Sequence, residues 1–160
     1  MARRLALITG ASAGIGAAFA RIYASHGYDV ALTARRADRL EALAAEIRLR
    51  FGVEALVIAA DLAEPGASDA ILAEVESHGR VVDALINNAG YGLPGAYSAT
   101  EWPDQRASLQ VMLIAVCELT HKVLPDMIER KFGRVVNVAS LAGLAPGQLL
   151  EPLVGLGQPV

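Results

Sequence analysis

Short apolar segments alternate with amphipathic segments along most of the chain, and this alternation constrains the fold more than any other feature. Five apolar runs are typical of buried strands, at residues 5–8, 29–34, 54–60, 81–87 and 134–139. Between them, apolar residues recur at helical spacing over residues 15–26, 37–50, 67–78 and 103–129. Strands separated by such helices are parallel and joined by right-handed crossovers. The sequence therefore predicts an α/β fold, with a doubly wound parallel sheet of about five strands and helices on both faces.

Composition narrows the class of protein further. With 160 residues, of which 54% are hydrophobic and 19% charged, the chain can bury one substantial core and is not disordered. A net charge of −3 gives no basic footprint for nucleic acid. The apolar runs at residues 5–8 and 111–116 are too short for a signal peptide and a membrane span, respectively. We therefore expect a soluble, cytoplasmic protein that contacts neither nucleic acid nor membrane and holds no metal.

A glycine-rich turn, Thr9-Gly10-Ala11-Ser12-Ala13-Gly14-Ile15-Gly16, joins the first strand to the first helix. In this context Gly10 permits a tight turn, Gly14 lets a pyrophosphate approach the backbone, and Gly16 lets the helix pack closely on the sheet. The helix N-terminus offers free N–H groups and a positive dipole end to phosphates. The turn predicts a dinucleotide site, the alternative being a glycine-rich turn needed only for packing.

The spacing T-G-x-x-x-G-x-G resembles that of the short-chain dehydrogenase/reductase family. The resemblance continues with Asn87-Asn88-Ala89-Gly90 after the fourth strand and with Ser140 after the fifth, and it covers about Leu5 to Gly147. It implies a Rossmann-type sheet in the order 3-2-1-4-5. It also implies binding of a nicotinamide dinucleotide and hydride transfer to or from a small carbonyl or alcohol.

The end of the second strand bears on which dinucleotide is bound. An acidic residue there would favour NAD, whereas this sequence has Arg35 and Arg36. A guanidinium pairs well with a phosphate, so we expect NADP(H) rather than NAD(H), with Arg35 more important than Arg36. The alternative is that both arginines are solvated residues at a helix start.

The resemblance assigns further cofactor contacts. It implies that Asp61 contacts the adenine amino group and that Leu62 packs on the ring, although Asp61 also suits the cap of a turn before Pro65-Gly66. It places Asn88, Ala89 and Gly90 along the nicotinamide ribose. The turn residues Thr9, Ser12 and Ile15 are also expected to bind the cofactor. Asn87 is expected to stabilise the sheet through backbone hydrogen bonds.

Most of the family's catalytic residues are replaced in this chain. Ser140 matches the serine that binds the carbonyl oxygen, but the expected tyrosine falls at Leu153, the lysine at Gly157 and the helix asparagine near Met112. The only lysines, Lys122 and Lys131, lie in or beyond the far part of the long helix. Two tyrosines in the loop after the fourth strand, Tyr91 and Tyr97, suit contacts with a substrate. Catalysis by this chain is therefore doubtful, because an unassisted tyrosine titrates near pH 10.

The last twenty residues predict no regular element. Residues 1–140 form the expected dinucleotide-binding domain, and residues 141–160 a tail rich in proline and glycine. The tail suggests a truncated or frame-shifted product, or a shortened paralogue that keeps nucleotide binding. The function is then that of a cofactor-binding oxidoreductase relative, a non-catalytic nucleotide-binding or interaction protein, or an inactive fragment. The resemblance also implies a homo-oligomer through the helix at residues 103–129.

Overall fold

The computed structural model describes residues 3–140, which form five strands and four long helices. The strands are β1 Leu5–Thr9, β2 Asp29–Ala34, β3 Ala55–Ala59, β4 Ala84–Asn87 and β5 Arg134–Asn137. The helices are α1 Gly14–Ser25, α2 Ala37–Phe51, α3 Ala67–Ser77 and α4 Trp102–Glu129, with a 3₁₀ turn at Tyr97–Ala99. The predicted elements are confirmed apart from small differences at their ends. The predicted tail, with Leu153 and Gly157, lies outside the described residues.

All five strands pair in parallel, in the order β3-β2-β1-β4-β5. This is the predicted order. The chain builds outward from β1 in one direction and then crosses to β4 on the other side. The reversal opens a crevice beyond the carboxyl ends of β1 and β4, where ligands bind in sheets of this kind. Among the described residues β5 pairs only with β4, and its side chains are half-buried or exposed.

Two apolar layers cover the two faces of the sheet. Residues alternate between the layers along each strand, as the period of two requires: Ala6 and Ile8 face α1 and α2, whereas Leu5 and Leu7 face α3 and α4. The central strands β1 and β4 are buried along their whole length. This accounts for their nearly continuous apolar sequence.

Helix α4 is continuous but contains a π-helical segment, Gln110–Ile114, between α-helical segments Trp102–Leu109 and Ala115–Glu129. One face is buried against the sheet through residues four apart: Val111, Ala115, Leu119, Val123 and Met127. The other face exposes apolar side chains: Leu109, Met112, Leu113, Ile114 and Leu124. By length and hydropathy alone α4 is apolar enough to cross a bilayer, which residues 111–116 alone did not suggest. A helix that packs on a soluble core passes the same test, so this is weak evidence.

Two buried carboxylates organise the opposite, amino edge of the sheet. Asp29 accepts hydrogen bonds from the Glu54 N–H (2.8 Å) and the Arg80 guanidinium (2.8 Å). Asp83 accepts from the Leu5 N–H (2.9 Å) and from the Arg130 guanidinium (2.5 Å). Each carboxylate thus joins the beginnings of neighbouring strands. Strand β4 begins at Ala84, three residues later than predicted.

Candidate functional site

The segments that follow the five strands meet at the carboxyl edge of the sheet. The glycine turn after β1 lies between the segments after β2 and β4, because β1 pairs with both of these strands. The Ala11 N–H donates to the Thr33 carbonyl (3.2 Å) and thereby ties the turn to β2. The structure therefore brings together the predicted residues around positions 9–16, 35–36 and 88–90.

Close packing explains two glycines of the turn. A Cβ atom at Gly16 would collide with the carbonyl oxygen of Gly10 and lie 2.6 Å from Asn88 Nδ2. A Cβ atom at Gly10 would lie 2.9 Å from both Asn88 Nδ2 and the Cα atom of Ala89. Asn88 Nδ2 donates to the carbonyls of Thr9 (3.0 Å) and Gly10 (3.3 Å). The side chain of Asn88 thus holds the turn closed from the β4 side.

The Thr9 side chain also connects β1 to the loop after β4. Its hydroxyl accepts hydrogen bonds from the N–H groups of Asn88 and Ala89, both at 2.9 Å, and donates to the Ile86 carbonyl at 3.3 Å. Thr9 is 2% exposed. Its hydroxyl therefore sets the path of the loop after β4 rather than facing the crevice.

The N-terminus of α1 is open to a ligand. Its N-cap residue, Ala13, makes no side-chain capping bond, and its first turn contains no acidic residue. The first turns of α2, α3 and α4, by contrast, contain Asp38, Asp69 and Asp104. Nothing lies within 4 Å of a Cβ atom built on Gly14. The positive end of this helix is thus neither capped nor compensated by its own sequence, and an anion can reach it.

The two arginines after β2 face different partners. The Arg36 guanidinium donates to Ser12 Oγ (3.1 Å), whereas Arg35 Cζ lies 5.8 Å from the centre of the Tyr91 ring. Arg36, rather than Arg35, therefore lies against the glycine turn. The sequence analysis ranked Arg35 above Arg36, whereas it is Arg36 that contacts the turn, because consecutive residues at a strand end diverge in direction.

Arg21, on α1, forms an ion pair with a carboxylate of α2. Arg21 makes a bidentate pair with Glu46 on α2 (2.9 and 2.7 Å), and Arg50 donates to the same carboxylate. Hydrogen bonds from Arg21 and then Arg50 lower the pKa of Glu46 to about 2. Glu46 therefore offsets the charge of Arg21, whereas Arg36 donates to Ser12 of the turn.

The residues after β3 form a turn, as one of the two interpretations of Asp61 predicted. Asp61 Oδ1 accepts the Ala63 N–H (3.0 Å), and the Asp61 carbonyl accepts the Glu64 N–H (3.0 Å), so Asp61 does cap a turn. One carboxylate oxygen remains outside these bonds and is available to a donor on a ligand. Leu62 is 7% exposed and belongs to the apolar layer below α3 and α4.

Polar side chains below Ser140 form a cluster that sequence reasoning missed. Asn87 Nδ2 donates to Asn137 Oδ1 (2.9 Å) and to Thr120 Oγ1 (3.2 Å), joining β4, β5 and α4. Asn87 was expected to act through its backbone, but its buried side chain also makes these bonds. The signal was the pair of asparagines ending adjacent strands. Ser140 lies three residues beyond β5 and is exposed.

Met112 lies in the π-helical segment, and its side chain lies over Gly90: a Cβ atom on Gly90 would be 3.4 Å from Met112 Sδ. Helical segments of this type often mark functional sites, a signal that the apolar periodicity did not carry. A thioether stands where the family resemblance implies an asparagine, so this position offers no amide to a proton relay.

The two lysines supply no cation to the region around Ser140. Lys122 Nζ pairs with Asp69 on α3 (2.5 Å), and Lys131 follows the end of α4 near the amino edge of β5. The described residues 3–140 contain no group of three or more histidine, cysteine or acidic side chains placed to hold a metal ion.

Comparison with known proteins identifies the family. A family model described as short chain dehydrogenase matches residues 4–152. The chain belongs to the short-chain dehydrogenase family. This assignment confirms the resemblance carried by the glycine turn, the N-N-A-G segment and Ser140. The chain spans about half the length of the curated family members it matches.

Three similar family members illustrate the match. A very-long-chain 3-oxoacyl-CoA reductase from Anas platyrhynchos is 38% identical over 154 residues, covering 91% of this chain and 47% of that protein. The structure of L-sorbose reductase from Gluconobacter frateurii with NADPH and L-sorbose superposes with a TM-score of 0.84 at 32% identity, covering 90% of this chain and 55% of that one. A metagenomic short-chain oxidoreductase in complex with NADP gives 0.82 at 39% identity, covering 89% and 65%. Two of these three proteins are named as reductases, and the two structures contain NADPH or NADP.

Proposed function

We propose that this chain binds NADP(H) at the carboxyl edge of the sheet and is the cofactor-binding part of a short-chain oxidoreductase. The family reaction transfers a hydride between the nicotinamide ring and a small carbonyl or alcohol. The observation that carries the proposal is the open N-terminus of α1 beside the Arg36–Ser12 pair. Two adjoining anion sites of this kind suit a pyrophosphate and a ribose phosphate.

Each part of the cofactor has residues suited to hold it. Backbone N–H groups from Ser12 to Gly16, including those of Gly14 and Ile15, suit the pyrophosphate, and Gly10 makes room for the turn. Arg36 and Ser12 suit the 2′-phosphate, with Arg35 beside them. Asp61 and Leu62 suit the adenine, and Asn88, Ala89 and Gly90 the nicotinamide ribose. Thr9 acts indirectly, because its buried hydroxyl holds the loop that presents these last three residues.

Hydride exchange is the chemistry that the cofactor supplies when bound; this chain would contribute binding and orientation. Ser140, which is exposed at the same edge, suits a hydrogen bond to a carbonyl oxygen of the substrate. Two observations favour binding without turnover: Met112 replaces the expected asparagine, and the Lys122 ammonium is taken by Asp69. The second candidate function is accordingly that of a non-catalytic nucleotide-binding protein.

Titration of the full chain with NADPH and NADH tests the cofactor assignment. NADH is the matched control ligand, because it lacks only the 2′-phosphate. We expect enhancement of NADPH fluorescence at concentrations at which NADH gives none. Equal affinities would contradict the assignment of Arg36 to the phosphate, and failure of both ligands to bind would contradict the nucleotide site itself.

An activity assay separates the two candidate functions. We expect no NADPH consumption above background over a panel of small aldehydes and ketones. Turnover that is lost in Ser140→Ala would establish the oxidoreductase function for this chain and contradict the argument from Met112 and Lys122.

We also propose a soluble, cytoplasmic homo-oligomer that associates through the exposed face of α4 and binds neither nucleic acid nor membrane. The apolar side chains on that face support association, and the net charge of −3 disfavours nucleic acid. Leu113 is 53% exposed. Leu113→Glu should convert a dimer to a monomer in light scattering, whereas Glu118→Gln should not. A monomeric wild-type chain at micromolar concentration would contradict the proposal.

A further inference from the structure

Arg35 and Tyr91 contact each other across the carboxyl edge of the sheet. Arg35 directly follows β2, and Tyr91 belongs to the loop after β4, while β1 lies between these strands. Even so, Arg35 Cζ lies 5.8 Å from the centre of the Tyr91 ring, within the range of a cation–π contact. The pair therefore reaches over the end of β1, close to the glycine turn.

The Tyr91 ring packs against the apolar core, whereas Arg35 is exposed to solvent. The Tyr91 ring is half-buried and packs against the apolar layer that includes Leu62 and Val111. Arg35 is exposed, and its only described partner is this ring. The packed ring of Tyr91 is thus covered by the exposed guanidinium of Arg35.

The surroundings of this surface are chemically suited to a purine. The half-buried Tyr91 ring offers apolar contact, and Asp61 retains a carboxylate oxygen that can accept from an exocyclic amino group. Arg36, the residue after Arg35, and Ser12 offer an anion site. A 2′-phosphorylated adenosine combines the groups that these side chains can bind.

We propose that Tyr91 is a cofactor-binding residue whose ring forms a wall of the adenine site, and that Arg35 covers this ring until the nucleotide binds. The proposal rests on the proposed function above, and it differs from the substrate contact that the sequence suggested for Tyr91. Exchange of partners is favourable, because base–aromatic stacking is stronger than an exposed cation–π contact. The guanidinium of Arg35 is then released to contact the base or its phosphate.

Isothermal titration of the full chain with 2′,5′-ADP provides the test. Tyr91→Leu keeps the apolar bulk but removes the π-surface, and we expect its dissociation constant to rise about tenfold. Tyr91→Phe keeps the ring and should stay within about twofold of wild type. Tyr97→Leu is the matched control, because Tyr97 lies in the same loop, is 73% exposed and makes no described contact with an arginine. It should bind as wild type does.

A second readout covers the case in which Tyr91→Leu does not fold. Nucleotide binding should produce a tyrosine ultraviolet difference signal in wild type that is absent in Tyr91→Phe. Wild-type binding with unchanged affinity in Tyr91→Leu, or with the same difference signal in Tyr91→Phe, would overturn the role of Tyr91 and leave the proposed function intact. Failure of wild type to bind 2′,5′-ADP would overturn the proposed function itself.

Discussion

The Arg36 guanidinium donates a hydrogen bond of 3.1 Å to Ser12 Oγ, and this contact joins the end of β2 to the glycine turn. We expect Arg36→Gln to weaken NADPH binding about 10- to 100-fold, the range of a lost charge-assisted hydrogen bond, while NADH binding changes less than about twofold. Ser12→Ala should show the same selectivity with a smaller loss. Fluorescence titration of both cofactors measures the effect.

Lys131→Gln provides the control for charge, because Lys131 follows α4 near the amino edge, away from the turn. It should leave both affinities unchanged. If Arg36→Gln weakened NADPH and NADH equally, Arg36 would act on a part that the two cofactors share, and its assignment to the 2′-phosphate would be wrong.

Gly16 is required because α1 begins against the backbone of its own turn. A methyl group there would collide with the Gly10 carbonyl oxygen and crowd Asn88 Nδ2. Overpacking of this kind costs about 1–3 kcal/mol, so Gly16→Ala should lower the free energy of unfolding by that amount and weaken NADPH binding. Gly92→Ala, which adds a methyl group in open space, should be neutral in the same urea titrations.

Two substitutions at Thr9 separate the contribution of its hydroxyl group to stability from that of its side-chain volume. Thr9→Val keeps the shape but leaves the N–H groups of Asn88 and Ala89 without their acceptor, which should cost about 1–3 kcal/mol of unfolding free energy. Thr9→Ser keeps the acceptor and loses one methyl group, a cost of about 1 kcal/mol. A Thr9→Val protein as stable as wild type would show that the hydroxyl does not hold the loop.

The fold could be predicted from the sequence because its signals are local and periodic. The apolar runs of β1 and β4 are buried along their length, and the spacing of Gly10 and Gly16 reflects a close contact between two backbones. Such signals do not depend on which residues meet in space.

The missed features of the site depend on side-chain direction and on contacts distant in sequence. The sequence analysis ranked Arg35 above Arg36, but the two side chains diverge to partners 56 and 24 positions away, at Tyr91 and Ser12, and no local pattern predicts this. The Asn87–Thr120 hydrogen bond likewise joins residues 33 positions apart. The buried residues of α4 recur every four positions even through the π-helical segment at Gln110–Ile114. The apolar pattern therefore does not reveal this segment.

At the amino edge, the Asp83–Arg130 pair should matter for stability rather than for binding. The Asp83 side chain is 10% exposed, and Arg130→Met would leave its charge without the guanidinium. Breaking a buried pair costs about 3–5 kcal/mol, and because Arg130 is partly exposed we expect about 2–3 kcal/mol. Adding Asp83→Asn should recover part of this loss. NADPH affinity should be unchanged in both variants, whereas an equal loss in the single and double variants would contradict the charge argument.

The Glu46 carboxylate predicts how stability changes with pH. Arg21 and Arg50 lower its pKa from 4.5 to about 2 in the folded chain. The unfolded chain therefore binds the proton first as pH falls, so the stabilisation is complete above about pH 4.5 and disappears progressively as pH falls towards 2. The side chain of Glu46 is 30% exposed, so the contribution should be below about 1 kcal/mol at neutral pH.

Glu46→Gln should accordingly reduce the dependence of unfolding free energy on pH between about 4.5 and 2, and urea titrations at several pH values measure this. Glu41→Gln is the matched control: Glu41 is exposed on the same helix and makes no ion pair among the described residues. Its curve should follow that of wild type. If Glu46→Gln also followed wild type, the arginines would not stabilise the ionised carboxylate in solution.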